Sequence, residues 1–370
     1  MSETSETREQ PETLETAPAD VAQAASTKRG GIAIPYWAQA FIPIIVALIL
    51  TGLILLALGK DPLTFYWNII DRGIVNPWGL QDSINRMTPL LLVGAALIVS
   101  FRAGLWNIGV DGQFVLAAVF VSATAPIALP VMPLPLAMFV LVLLGAAMGA
   151  IWSIGPALLR AYYGINEIVT TLMMTFLGVL LGALLVKTVF NDPQNKVHQT
   201  VGLAVEDRWP VLFGSSVHIG IILALAAVLL THFVMTRTAF GLKLRMVGTN
   251  PRAAAHAGLS VPRLTLAAFA ISAALAGLAG TVEVLGRIGH VRGGWDPHFG
   301  LYMIPFVFLA RFHGGALIGF AAFFAVYSIG GEYAARKAQL PSVFVLVVIG
   351  LILILLALTE YLNERLERKP

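Results

Sequence analysis

Cysteine is absent from the 370-residue chain. That excludes disulfides, thiolate metal sites and a cysteine nucleophile. Charge is the next scarcity: Asp, Glu, Lys and Arg make up 12% of the residues, against 58% hydrophobic and a mean hydropathy of +0.82. A soluble domain of this length does not carry so few charges, so the chain reads as an all-α polytopic membrane protein. No G-x-x-x-x-G-K-[ST] sequence occurs, which leaves no P-loop with which to hydrolyse a nucleotide. The seven histidines show no H-E-x-x-H and no i, i+4 pairing, and no serine sits in G-x-S-x-G. Neither a metal site nor a hydrolytic nucleophile is indicated. The formal charge of +4 is spread through short loops and is not the one-faced footprint of a nucleic-acid binder.

What is present is a series of apolar runs. Residues 1–33 begin with Glu, Thr, Ser, Ala and Pro without apolar period, as expected of a disordered acidic tail on the cytoplasmic side. The expected spans are Ile34–Leu58, Met87–Phe101, Phe114–Leu129, Leu134–Leu159, Ile168–Phe190, Val217–Met235, Leu264–Leu285, Leu301–Phe312, Ala316–Ile329 and Val343–Leu362. The first has no small-residue cleavage site after it and reads as uncleaved. These ten define a transmembrane domain over 34–362, followed by a short cytoplasmic tail at 363–370. Crossing the hydrocarbon takes about 20 residues, so the segments from Met87, Leu301 and Ala316 read as short, broken or partly re-entrant. Lys60–Arg86 reads as an extramembrane loop with a short surface helix around Pro62 to Ile70.

The loop charges orient the chain. With the amino terminus inside, Lys28, Arg29, Arg102, Arg160, Arg311, Arg365, Arg368 and Lys369 collect on the inner side, together with the basic residues of loop 236–263. The loop Asn191–Ser216 balances Asp192, Glu206 and Asp207 against Lys196 and Arg208. Both termini then lie inside, in the plasma membrane, which agrees with an even number of spans. Small residues at helical spacing, Gly145 with Gly149, Gly178 with Gly182, and Ser272, Ala276 and Gly280, predict close helix packing.

Three polar stretches stand out. Arg237–Arg263 carries Lys243, Arg245 and Arg252 between its terminal arginines and no carboxylate. Within it Asn250 is placed to cap a helix, Pro251 to take its first position, and Gly258 to stop it. Such a short, well-punctuated helix is either a docking element or a connector. Asn107-Ile-Gly-Val-Asp-Gly-Gln113 interrupts apolar sequence and is costly unless buried in protein or lining a cavity. Asp111 and Glu167 fall at helix starts, where a carboxylate faces the positive end of the helix dipole, and Asn166 is placed to cap the helix of Glu167. The alternative for both acids is ion coupling, but no carboxylate is placed clearly at mid-membrane, and Glu283, Arg287, His290 and Arg292 cluster towards an outer span end. Trp106, Trp152, Trp209 and Trp295 lie mostly near span ends, as interfacial belts require; one of them could instead stack on a substrate ring.

At Asn107–Gln113 and Asn166-Glu-Ile-Val-Thr-Thr-Leu-Met-Met174 the chain resembles the permease subunits of ABC importers for branched-chain amino acids, simple sugars and nucleosides. Val247-Gly-Thr-Asn-Pro-Arg-Ala-Ala-Ala-His-Ala-Gly258 and the ending Gly330-Gly-Glu…Leu340-Pro341 bring it closest to the nucleoside branch. The resemblance covers about residues 35–362. It implies a type II ABC importer permease fold of about ten helices, with no catalytic site and no cofactor, since ATP is used by a partner. It also implies a second permease subunit, usually a different chain, a cytoplasmic ABC ATPase, and an extracytoplasmic substrate-binding protein. By the same resemblance Gly248, Asn250, Arg252, Ala255 and Gly258 couple to the ATPase, and Asn107, Asp111, Gln113, Asn166 and Glu167 belong to the pathway region. Asn166 stands where His is more usual, and Arg311-Phe-His-Gly-Gly315 departs from R-x-x-P-x-G; both departures bear on the substrate, not on the family. An ion-coupled secondary transporter of a small polar solute is the competing reading.

Overall fold

The computed structural model describes residues 36–341 and 343–367; the acidic tail over 1–33 lies outside them. The helices are α1 (Tyr36–Ala57), α2 (Pro62–Ile70), α3 (Pro77–Arg102), α4 (Val110–Ala128), α5 (Leu134–Trp152), α6 (Ile154–Tyr163) and α7 (Glu167–Thr188). They continue as α8 (Gly220–Arg237), α9 (Ala239–Thr249), α10 (Pro251–His256), α11 (Val261–Glu283), α12 (Phe299–Leu309), α13 (Gly314–Lys337) and α14 (Phe344–Glu367). Every expected span falls on a helix, and among the described residues seven helices or joined pairs are long and apolar enough to cross a membrane. Among the described residues the only β pairing is two isolated bridges in the loops.

Two spans expected to be short are full length. α3 starts ten residues before Met87, where Asn76 accepts from the backbone N–H groups of Trp78 and Gly79 and Pro77 takes the first position. Its polar first turns pack on protein: Ser83 donates to the Gly73 carbonyl, and Asn85 donates to the carbonyl of Ser216. Hydropathy alone read those turns as part of a loop. α13 likewise runs to Lys337, because Gly330 lies against the backbone of Ile69 and keeps its polar end on protein. The surface helix α2 is where it was expected, capped by Asp61 through Leu63 and Thr64. The C-terminal tail expected from residue 363 is still helix α14 as far as Glu367.

α11 is the hub, packed against α3, α4 and α5. Small residues make this possible. Gly145 and Gly149 of α5 lie on the backbone of Ala273 and Gly277, and Gly280 lies on the backbone of Phe114. Gly178 of α7 meets Gly112 of α4 in the same way. Where lipid is as apolar as the side chains, such approach drives association through dispersion rather than water release.

Two crossings are broken. One is an extended segment, residues 103–109, leading into α4; the other is the stretch 289–298, leading into the 11-residue α12. The first rises from the side holding α9 and α10, the loop side, and the second descends from the opposite, far side. Asn107 hydrogen-bonds Ser272, halfway along α11, so α4 begins at mid-depth. At its other end α4 approaches the far-side loops, where Ser122 meets Thr200 and Thr200 binds the Val291 N–H. Thus α4 fills the far half of the bundle and α12 the loop half, and their N-termini meet in the middle.

Candidate functional site

On the loop side the basic stretch folds as two short helices. Asn250 caps α10 by accepting from the Ala253 N–H at 3.0 Å, with Pro251 at the first position, as expected. After Ala257 the chain turns at Gly258, whose φ of +80° is the left-handed conformation that side chains resist. The Leu259 N–H then closes on the Ala254 carbonyl at 3.1 Å. Only Ala254 of α10 is buried; Arg252, Ala253, Ala255 and His256 face outward. Between α9 and α10 runs an open groove of about 470 Å3 lined by Leu242, Met246, Thr249, Asn250 and Ala253. Gly248 has a different job from its neighbours: a Cβ there would lie 2.6 Å from the Arg102 carbonyl and 2.7 Å from the Gly104 nitrogen. The end of α9 therefore rests on the start of the broken segment, backbone on backbone.

The other sequence-predicted residues converge at the mid-depth junction. Asn107 and Gln113 exchange side-chain hydrogen bonds at 3.1 and 3.2 Å, and Asn107 also donates to Ser272 at 3.0 Å. Thr171 and Thr175 of α7 bind the backbone of Ile108. Asp111 accepts from the Gly300 N–H at 2.6 Å and the Leu301 N–H at 3.2 Å, so one carboxylate serves the N-termini of both α4 and α12. His298, at the α12 cap position, makes no side-chain cap bond, and Asp111 substitutes for it across the junction. Asp111 is thus at a helix start, as expected, but that start is at mid-depth and not at the membrane surface.

Asn166 and Glu167 stand apart from this junction. Asn166 caps α7 through the Ile168 N–H at 2.9 Å, and Glu167 pairs with Arg160 at 3.3 Å near the loop side. All five candidates are engaged with the protein, and none lines the polar cavity beside Arg86 and Glu332. The tryptophans also divide. Trp106 is partly exposed and packs with Phe101 and Phe308, Trp152 donates to the Met174 carbonyl, Trp209 is buried beside His218, and Trp295 faces that cavity.

The cavity is in the far half, above the junction. Arg86 of α3, Arg287 beyond α11 and Glu332 of α13 bring charge to it, and Tyr302 and Phe324 bring rings. Sequence reading did not select Arg86, Phe324, Ser328 or Glu332. Their signal was there in part: the last three recur every four residues and share one face of α13.

Residues 79–357 match the family described as branched-chain amino acid transport system / permease component. The chain belongs to that family. This permease is 31% identical over 346 residues to the glucose ABC transporter permease protein of Haloferax volcanii, covering 90% of each chain. It is also 31% identical over 327 residues to the guanosine ABC transporter permease protein of Bacillus subtilis, covering 85% of this chain and 91% of that one. A nucleoside ABC transporter permease protein of Lactococcus lactis is 28% identical over 254 residues, covering 66% and 70%. No solved structure matches. The permease is accordingly a multi-pass membrane transport subunit and not an enzyme.

Proposed function

We propose that the permease is the membrane-spanning subunit of an ABC importer that moves nucleosides, or a related simple sugar, into the cytoplasm. It works by alternating access driven by a separate ATPase. The observation that carries this reading is the loop-side platform of α9 and α10. It is basic, free of carboxylates, capped at both ends of α10, and seated directly on the broken segment through Gly248. A cytoplasmic ATPase docks there. The two termini share that cytoplasmic side, a second permease chain completes the membrane unit, and an extracytoplasmic binding protein delivers the solute. The nucleoside assignment draws support from the guanosine and nucleoside permeases among its relatives.

Ion coupling would require a carboxylate at mid-depth that is free to exchange a proton. Asp111 has the depth, but both its oxygens are held by backbone N–H groups. The test is reconstitution with ATPase, second permease and binding protein, measuring hydrolysis and uptake in the same vesicles. The double change Arg252→Glu, Gly258→Val is expected to leave insertion and pairing intact while solute-stimulated hydrolysis and uptake fall together, at least tenfold. Parental transport by the correctly inserted double variant would reduce α10 to a connector.

A further inference from the structure

The far-half cavity has a chemistry that the proposed function leaves unused. It encloses about 350 Å3, within the range of about 300–1,000 Å3 usual for small-molecule sites. One wall is aromatic. Trp295 packs on Phe114 at the junction, and Tyr302 packs on Phe324 with ring centroids 5.7 Å apart. The polar wall adjoins it and is formed by Arg86, Glu332 and Ser328, the last two following Phe324 along one face of α13.

The polar wall is incompletely paired. Arg86 and Glu332 stand 3.7 Å apart, an ion pair too long for a hydrogen bond. The Arg86 Nε is buried and has no hydrogen-bond partner among the described residues, and the guanidinium lies over the Phe299 ring at 5.6 Å. A buried donor left open is costly unless something completes it. A lipid tail would not complete it, and a charged solute would meet both signs at once. A neutral ring bearing hydroxyls fits both walls: its apolar face stacks on the aromatic side, and its hydroxyls bridge guanidinium and carboxylate. The position also suits a transported solute, directly above the meeting point of two discontinuous helices, where transporters build their sites.

We infer that this cavity holds the hydroxylated ring of the solute, ribose or pyranose, during its passage through a single permease subunit. The inference rests on the importer reading above. It makes Glu332 and Ser328 solute contacts and Phe324 a stacking platform.

The chain contains no cysteine, so Ser328→Cys places one thiol in the cavity with almost no change in volume. The variant is assembled with its ATPase, partner permease and binding protein in vesicles, with guanosine and glucose as the two probes. A membrane-impermeant maleimide is added from the binding-protein side, and its attachment to this chain is followed by mass spectrometry. Unlabelled Ser328→Cys is expected to import at a reduced but measurable rate, which is the reference for the labelled complex. Labelling is expected to cut import at least tenfold, and turnover with whichever probe is imported should slow labelling at least threefold. Slowing by guanosine alone identifies the ribose of a nucleoside; slowing by glucose alone identifies a pyranose. A thiol that never reacts, a labelled complex that imports at the unlabelled rate, or labelling that is indifferent to turnover would each overturn the cavity site. A parent complex that imports neither compound fails before any reagent is added, and it removes the importer reading as well.

Discussion

Asp111 shows how much one side chain decides here. Its carboxylate is the only side-chain hydrogen-bonded link described between the N-termini of α4 and α12, and it is buried. Hydrogen bonds from backbone N–H groups to a charged acceptor contribute about 1.5–3 kcal/mol each. Asp111→Ala should therefore lower stability by roughly 3 kcal/mol or more, visible as a drop in the thermal midpoint of the purified protein. Asp111→Asn, which keeps one acceptor, should fall between that variant and the parent. Because both oxygens are engaged, uptake by Asp111→Asn and by Glu167→Gln should be as insensitive to a collapsed proton gradient as uptake by the parent. Parental uptake that vanished with an uncoupler while ATP was maintained would refute that. The role of Asp111 as a helix-start acid was legible in the sequence, since Gly109 and the resuming apolar run mark the start of α4. Its depth was not: that follows from the bond of Asn107 to Ser272, a partner 165 positions away.

Among the elements, α2 and α10 were readable from local punctuation, whereas the start of α3 was missed although Asn76-Pro77 marks it in the same way. Asn250-Pro251 and Gly258 bracket α10 in the sequence as they do in the fold, and α2 follows Asp61-Pro62. The true starts and ends of α3 and α13 were hidden because their polar turns are buried by tertiary neighbours, which a hydropathy pattern does not contain. Helix packing was legible as a pattern of small residues, and the structure separates the glycines that matter from those that do not. A Cβ at Gly149 would collide with the Ala273 carbonyl of α11, whereas one at Gly155 in α6 meets nothing within 4 Å. Gly149→Leu should force α5 and α11 apart and abolish recovery of monodisperse protein from membranes. Gly155→Leu should leave the recovery unchanged, and equal yields of the two would contradict the hub role of α11.

For the molecule as a whole, the far-side loops form a cap whose weak point is His218. Its ring is fully buried, packs edge-on to Trp209 at 6.2 Å, and has no hydrogen-bond partner at either nitrogen among the described residues. Burial pushes its pKa down to about 4; the nearby Glu283 opposes that shift and Arg287 adds to it. The unfolded chain takes up a proton near pH 6.5 and the folded one does not until about pH 4. Stability from this group is therefore complete above about pH 6.5 and is lost as pH falls towards 4. Between pH 7.5 and 5 the loss should be about 2 kcal/mol. Hydrogen exchange over residues 203–218 should accelerate across that range in the parent and much less in His218→Phe. An equal response would place the sensitivity elsewhere.

The contact between Gly104 and Gly248 has a mechanical consequence. Most moving parts of a protein meet through side chains, which change rotamer and absorb a small displacement as a cushion does. Here two bare main chains touch, and there is nothing between them to compress. The joint behaves as a bearing without play. A small stroke of α9 and α10 must either move residues 103–109 by the same amount or lift off completely. Asp111, two residues past that segment, accepts from the first turn of α12. On the proposed docking of an ATPase, a stroke of α9 and α10 therefore has a main-chain route to the floor of the aromatic cavity.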